Sequence, residues 1–234
     1  MGIDKALHDI RAIPDKIRQH YLKKRIGKRW AAKGPESLLA RQYDSYDDYV
    51  EHQAAKFKLK NICPREIDDY DQRYRALLLE RLNQYGVVRT GTALCLGARQ
   101  GSEVKAFIDK GCFAVGIDLN PGKDNRYVLP GDFHAIQFPD SSTDIVFSNS
   151  FDHAFDLTKL LGEIQRVLKP DGLLVLEAGT GMQEDGSAGF YECLQWSTVD
   201  QLVGILGGYG FRQECRHRIE FPNRGWHLVL RLES

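Results

Sequence analysis

No apolar run in this chain approaches the ~18 residues that a membrane-crossing helix needs, so no segment is expected to span a bilayer. A surplus of charge is missing too. The 32 Lys and Arg are matched by 32 Asp and Glu, which leaves no global field to draw in nucleic acid or a membrane surface. The five cysteines, at 63, 95, 112, 193 and 215, contain no Cys-x-x-Cys pair, and Cys95 and Cys112 sit in apolar runs. A reduced protein fits that usage better than a disulfide framework. The N-terminus lacks the apolar core of a signal peptide, so the expected compartment is the cytoplasm. Internal repeats and low-complexity tracts are absent as well.

What is present, over 234 residues, fits one generous domain or a domain with an added N-terminal piece. The stretch Thr92-Ala-Leu-Cys-Leu-Gly-Ala-Arg-Gln-Gly101 is a short apolar run broken by a glycine turn, and Ser102 to Ile108 follows with helical spacing. Strand, glycine turn and helix start form the first unit of a nucleotide-binding α/β sheet. A second apolar run, Gly111 to Asp118, ends in an acid, and a carboxylate at a strand tip can accept both hydroxyls of a ribose. Further short runs alternate with helical segments. The strands are expected near 92–97, 112–117, 126–131, 143–148, 172–178, 211–219 and 225–232, with helices near 101–110, 156–168 and 196–207. The alternation in Trp226-His-Leu-Val-Leu-Arg-Leu232 suggests an antiparallel hairpin at one edge.

The N-terminal third reads differently. Residues 1–34 hold most of the basic excess (Lys16, Arg18, Lys23, Lys24, Arg25, Lys28, Arg29 and Lys33), with Ile10, Ile13, Ile17, Tyr21 and Leu22 at helical spacing. Two readings stay open: a covering helix with a solvated basic face, or a face that touches acidic glycan, phospholipid head groups or RNA. Pro64 opens a long helix with early acids and late arginines.

The series Gly131-Asp-Phe-His, Phe138-Pro-Asp140, Asp144 and Arg166-Val-Leu-Lys-Pro-Asp-Gly172, following the glycine turn, resembles the class I S-adenosylmethionine-dependent methyltransferases in their small-molecule branch. The resemblance spans roughly residues 86–233. Tyr46, Tyr49, His52, Gln53 and Lys56 are similar to the N-terminal extension of bacterial sugar and polysaccharide O-methyltransferases. The resemblance implies a Rossmann-like, seven-stranded, mostly parallel sheet with its last strand antiparallel, at residues 86–234. Residues 1–85 would form an N-terminal helical extension or lid. The family's first loop reads acid-x-Gly-x-Gly-x-Gly, whereas Cys95 here stands in the acid's place and Arg99 in that of the middle glycine.

On that footing the cofactor, S-adenosylmethionine, would lie on Gly97, Ala98, Arg99, Gly101, Asp118, Leu119, Asp132, Phe133 and Asn149. Asp118 would bind the ribose diol, Asp132 the adenine amino group, and Arg99 either the cofactor's carboxylate or solvent. His153 is the candidate general base, with Asp152 beside it or else capping the next helix. Tyr191, Glu192, Trp196 and Glu177 are candidate substrate contacts, although Trp196 would equally pack under a helix. Asp152, His153 and Glu177 are also candidate Mg²⁺ ligands. The expected reaction is methyl transfer to a hydroxyl of a sugar or glycan precursor. Open alternatives are another small O or N acceptor, or an inactive cofactor-binding scaffold. Nucleic acid is not an expected partner, since no Asn/Asp-Pro-Pro-aromatic motif follows the fourth strand.

Overall fold

Alternate residues of each core strand face opposite sides of a sheet, and here both sides are apolar. The computed structural model describes residues 29–33, 38–59, 64–85 and 91–233, with 17, 20 and 21 described singly. The basic helix expected over residues 1–34 lies almost wholly outside them. In chain order the elements are β1 (Trp30–Lys33), β2 (Leu38–Arg41), α1 (Tyr46–Leu59), α2 (Pro64–Gln84), β3 (Thr92–Leu96), α3 (Ser102–Asp109), β4 (Phe113–Asp118) and β5 (Val128–Pro130). They continue with β6 (Thr143–Ser148), α4 (Leu157–Val167), β7 (Leu168–Gly179), β8 (Leu194–Gln195), α5 (Val199–Gly208), β9 (Phe211–Ile219) and β10 (Gly225–Leu232).

Seven strands form the main sheet in the order β5-β4-β3-β6-β7-β10-β9. β3, β4, β5, β6 and β7 pair in parallel, and β10 runs antiparallel to both β7 and β9. This is the Rossmann-like sheet that the resemblance implied. Leu94 and Leu96 of β3 pack into a core with Leu160, Leu161 and Ile164 of α4. Ala93 and Cys95, which alternate with them, pack on the other face with Leu78 and Leu82 of α2 and Phe107 of α3. One short strand thus anchors two layers of helix. Asp156 caps α4 by accepting from Lys159 N–H, and Thr198 caps α5 through Gln201 N–H.

Two boundaries differ from the sequence reading. β7 begins at Leu168, not near 172, because Thr143 pairs with Leu168 and Ile145 with Leu173, leaving Lys169 to Gly172 as a bulge within the strand. The segment before residue 86 is not helical throughout. β1 and β2 form an antiparallel pair, and β2 pairs in turn with β8, which completes a second, three-stranded sheet. No helix among the described residues is long and apolar enough to cross a membrane.

Candidate functional site

The strand tips of the parallel half open onto a cleft of ≈520 Å³, within the range of ~300–1,000 Å³ usual for small-molecule sites. One side is made by loops leaving β3 and β4. At the end of β3 the chain turns at Gly97 (φ +67°), and both Gly97 and Ala98 donate their N–H groups to Ile117 O at 2.9 and 3.2 Å. This stitches the first loop to the tip of β4. A side chain at 97 would put its Cβ 2.8 Å from Ser150 Cβ, so only glycine fits. The next residues turn Arg99 N–H toward Asp118, whose Oδ2 accepts from it at 3.0 Å while Oδ1 accepts from Asn120 N–H at 2.6 Å. A carboxylate has about four acceptor positions, so Asp118 is oriented by these bonds and still able to bind. Leu119, Asn120 and Phe133 continue the wall. Burial pulls the Arg99 guanidinium below its ordinary value, against the pull of Asp118, Tyr70 and Glu103.

The floor is a buried polar chain. Asn149, just past β6, donates through Nδ2 to Glu103 Oε1 and to the Tyr74 hydroxyl, both at 3.0 Å. Tyr74 donates to Glu177 Oε2 at 2.7 Å, Arg81 donates to Glu177 Oε1 at 2.7 Å, and His227 Nδ1 lies 3.3 Å from that same oxygen. Glu177 is thus held by α2 and β10. Glu103, in the first turn of α3, is 7% exposed and lines the cleft, and burial pushes its carboxyl up to about 7.

The other side of the cleft is assembled from distant segments. Tyr49 and Gln53 come from α1, Asp152 and His153 from a single helical turn after β6, and Phe190, Tyr191 and Glu192 from the loop before β8. Gln53 Nε2 donates to Tyr191 O at 2.9 Å and to Cys193 Sγ at 3.2 Å. Arg41 at the end of β2 donates to Glu192 O at 2.8 Å and Gly189 O at 3.1 Å. His52 stacks on Tyr191 with ring centroids 5.4 Å apart, and burial, then Arg41, holds its imidazole down at about 4. His153 Nδ1 lies 3.0 Å from Tyr191 O. A carbonyl only accepts, so Nδ1 carries a proton, and in the neutral ring Nε2 carries the lone pair. Nε2 lies 3.9 Å from Asp152 Oδ1.

Of the sequence-derived site residues, the cleft brings together Gly97, Ala98, Arg99, Asp118, Leu119, Phe133, Asn149, Asp152, His153, Glu177, Tyr191 and Glu192. Three others are not among its lining residues. Gly101 (φ +82°) precedes α3, and a Cβ there would sit 2.9 Å from Tyr127 Cβ, so its role is to let helix and loop meet. Asp132 is engaged by Tyr46 and His134: burial raises its carboxyl, but those hydrogen bonds hold it at about 2. Asp132 thus serves the Tyr46 and His134 contacts beside the cleft and is not part of its wall. Trp196 is 5% exposed, packs in the core, and donates Nε1–H to Gly179 O at 3.0 Å, so it is structural.

The Mg²⁺ reading is corrected likewise. Both Glu177 oxygens are taken by Arg81 and Tyr74, and no group of three metal-ligating side chains occurs among the described residues. Sequence reasoning missed Glu103, Tyr70 and Phe190 as cleft residues. An acid in the first turn of a helix reads as an ordinary dipole partner, so Glu103 gave no separate signal.

Comparison with known proteins agrees with this geometry. A malonyl-(acyl-carrier protein) O-methyltransferase of Coxiella burnetii is 30% identical over 135 residues, covering 54% of this chain; this chain spans 47% of that relative. A Burkholderia thailandensis 1,6-didemethyltoxoflavin-N1-methyltransferase, solved with its substrate and S-adenosylhomocysteine, superposes with TM-score 0.61 at 15% identity, covering 88% of this chain and all (100%) of that one. The (4+2)-cyclase SpnF shares the fold at TM-score 0.53 and 17% identity, covering 69% of this chain and 80% of its own. Fold alone therefore does not choose the reaction. Residues 94–176, from β3 to β7, match the family model described as a methyltransferase domain, and the sheet that carries them has the Rossmann-like fold of these solved structures.

Proposed function

We propose that this chain is an S-adenosylmethionine-dependent methyltransferase that methylates a hydroxyl of a small molecule, with sugars or glycan precursors as the acceptor class. The observation that carries the reading is a single cleft holding the Gly97 turn and Asp118 on one side and a tautomer-fixed His153 on the other. The donor set suits the cofactor. Asp118, braced by two backbone N–H groups, meets a ribose diol; Leu119 and Phe133 flank an adenine; Arg99 and the floor acids meet an amino-acid end. When bound, that cofactor supplies an electrophilic methyl group on a sulfonium.

The chain's own task is to make an oxygen nucleophilic. His153 Nε2 takes the acceptor's proton while Nδ1–H stays on Tyr191 O, which keeps the imidazole aimed and in one tautomer. Phe190 and Tyr191 offer aromatic faces for the C–H groups of a sugar ring, and Gln53 and Glu192 offer polar partners for its hydroxyls. Within the segment before residue 86, β2 and α1 act as the lid on this acceptor side. Calorimetry with S-adenosylhomocysteine, followed by methyl release across hydroxyl, amine and carboxylate acceptors, tests the reading. Binding followed by turnover on sugar hydroxyls supports it. Cofactor binding with no turnover on any acceptor would favour the scaffold reading, and turnover confined to amines or carboxylates would move the acceptor class.

A further inference from the structure

The first loop has lost its acid. Cys95, in the acid's place, is wholly buried among apolar side chains, and burial raises its thiol well above its ordinary value, so it is neutral and presents no charge to the cleft. Within reach of Cys95's field lies Glu103, eight positions on and across the glycine turn. It is more than nine-tenths buried and lines the cleft, and among the described residues its carboxylate has only neutral partners at hydrogen-bond distance, Asn149 Nδ2 and its own backbone N–H. A plain helix-start acid sits in solvent, where the dipole lowers its pKa. Glu103 is the reverse case: burial first, then the neighbouring acids Glu177 and Asp118, push its carboxyl up. A buried acid facing a cleft is relieved either by a proton or by a cation, and a cleft that receives a ligand ammonium can supply the second.

Resting on the methyltransferase reading above, we propose that the Glu103 carboxylate receives the α-ammonium of the cofactor's methionine end. Arg99, whose backbone N–H holds Asp118, is the neighbouring cation for the carboxylate of that same end. The groups facing Glu103 are Tyr70 and Tyr74 from α2, Asp118 at the tip of β4, Glu177 from β7, Arg99 in the loop, Cys95 below and Asn149 after β6. Among these Arg99 alone is cationic, so a bound ammonium would draw the carboxyl back toward its ionised form.

The test compares S-adenosylhomocysteine with 5′-methylthioadenosine, which keeps the adenine, ribose and thioether but lacks the amino-acid end. E103Q should weaken S-adenosylhomocysteine by about tenfold or more and leave 5′-methylthioadenosine within about twofold, since a charge-assisted bond is lost from one ligand only. Wild-type binding at pH 7 should release protons to the buffer, and E103Q should abolish that release. The substitution removes a disfavoured buried charge, so E103Q should unfold at the same temperature or higher at pH 8, which guards against a folding artefact. Equal weakening of both ligands, or no weakening of either, overturns the proposal. Failure of the wild type to bind either ligand would instead sink the methyltransferase reading itself.

Discussion

The two sides of the cleft are built by different means. The proposed donor side is made by consecutive loops of one sheet, held by backbone N–H groups such as Gly97 N–H to Ile117 O and Arg99 N–H to the Asp118 carboxylate. The proposed acceptor side is made by side chains that reach across from far apart in sequence: Gln53 to the Tyr191 carbonyl, Arg41 to the Glu192 carbonyl, and His52 onto the Tyr191 ring. Backbone geometry tolerates many side chains, whereas side-chain contacts are specific to the residues that make them. A common donor can thus be served by one wall while the opposite wall changes with the acceptor.

The sharpest way to break this contrast is at His153. Replacing it with alanine should lower kcat by about 10²–10⁴-fold, the usual worth of a positioned base. Calorimetry should find S-adenosylhomocysteine bound as in the wild type. A parallel loss of cofactor affinity would show that the two walls are not separable. Next comes the floor. Arg81→Met leaves Glu177, whose side chain is 1% exposed, without its cation, and should cost about 3–5 kcal/mol of stability in urea unfolding. A loss below about 1 kcal/mol would mean that Glu177 is less dependent on the pair than its burial implies.

Asp118→Ala is expected to weaken S-adenosylhomocysteine about 100-fold, through two lost charge-assisted bonds to a ribose. Unchanged affinity would mean that Asp118 serves the turn alone. A smaller effect is expected at Asp132, whose folded carboxyl is held at about 2. Because its pKa is depressed on folding, the stability it contributes is present above the unfolded value of about 3.9 and is lost as pH falls through about 2. Asp132→Asn should therefore lose on the order of 2 kcal/mol at pH 7, and its deficit against the wild type should shrink between pH 4 and pH 2. A constant deficit across that window would refute the assignment. Last, chelation with EDTA should leave turnover unchanged, within about twofold. A larger drop would restore a metal to the acceptor side.

How legible was all this in the amino acids? The sheet was nearly all visible, because each parallel strand is a short apolar run closed by a turn, and because Gly97 and Asp118 announce the loop between them. The bulge of Lys169 to Gly172 hid the start of β7, since Pro170 and Gly172 look like an end, not an interruption. The pairing of β2 with β8 could not be read at all: Leu39 and Gln195 are 156 positions apart, and nothing local links them. The acceptor wall was half legible. Tyr191 and Glu192 stood out as aromatic and acid on a long loop, but the same signature drew in Trp196, and only its burial separates the two. The partner of Asp132 was hidden for a related reason, because Tyr46, which donates to it, lies 86 residues upstream.

β8 is only two residues long, yet it fastens the stretch after β7 to the hairpin that precedes α1. The two halves of the acceptor wall are therefore mechanically one piece. Grafting either half alone from a relative would break the seam, so altered acceptor preference should arise when both change together. A directed-evolution library that varies them jointly is the one to build.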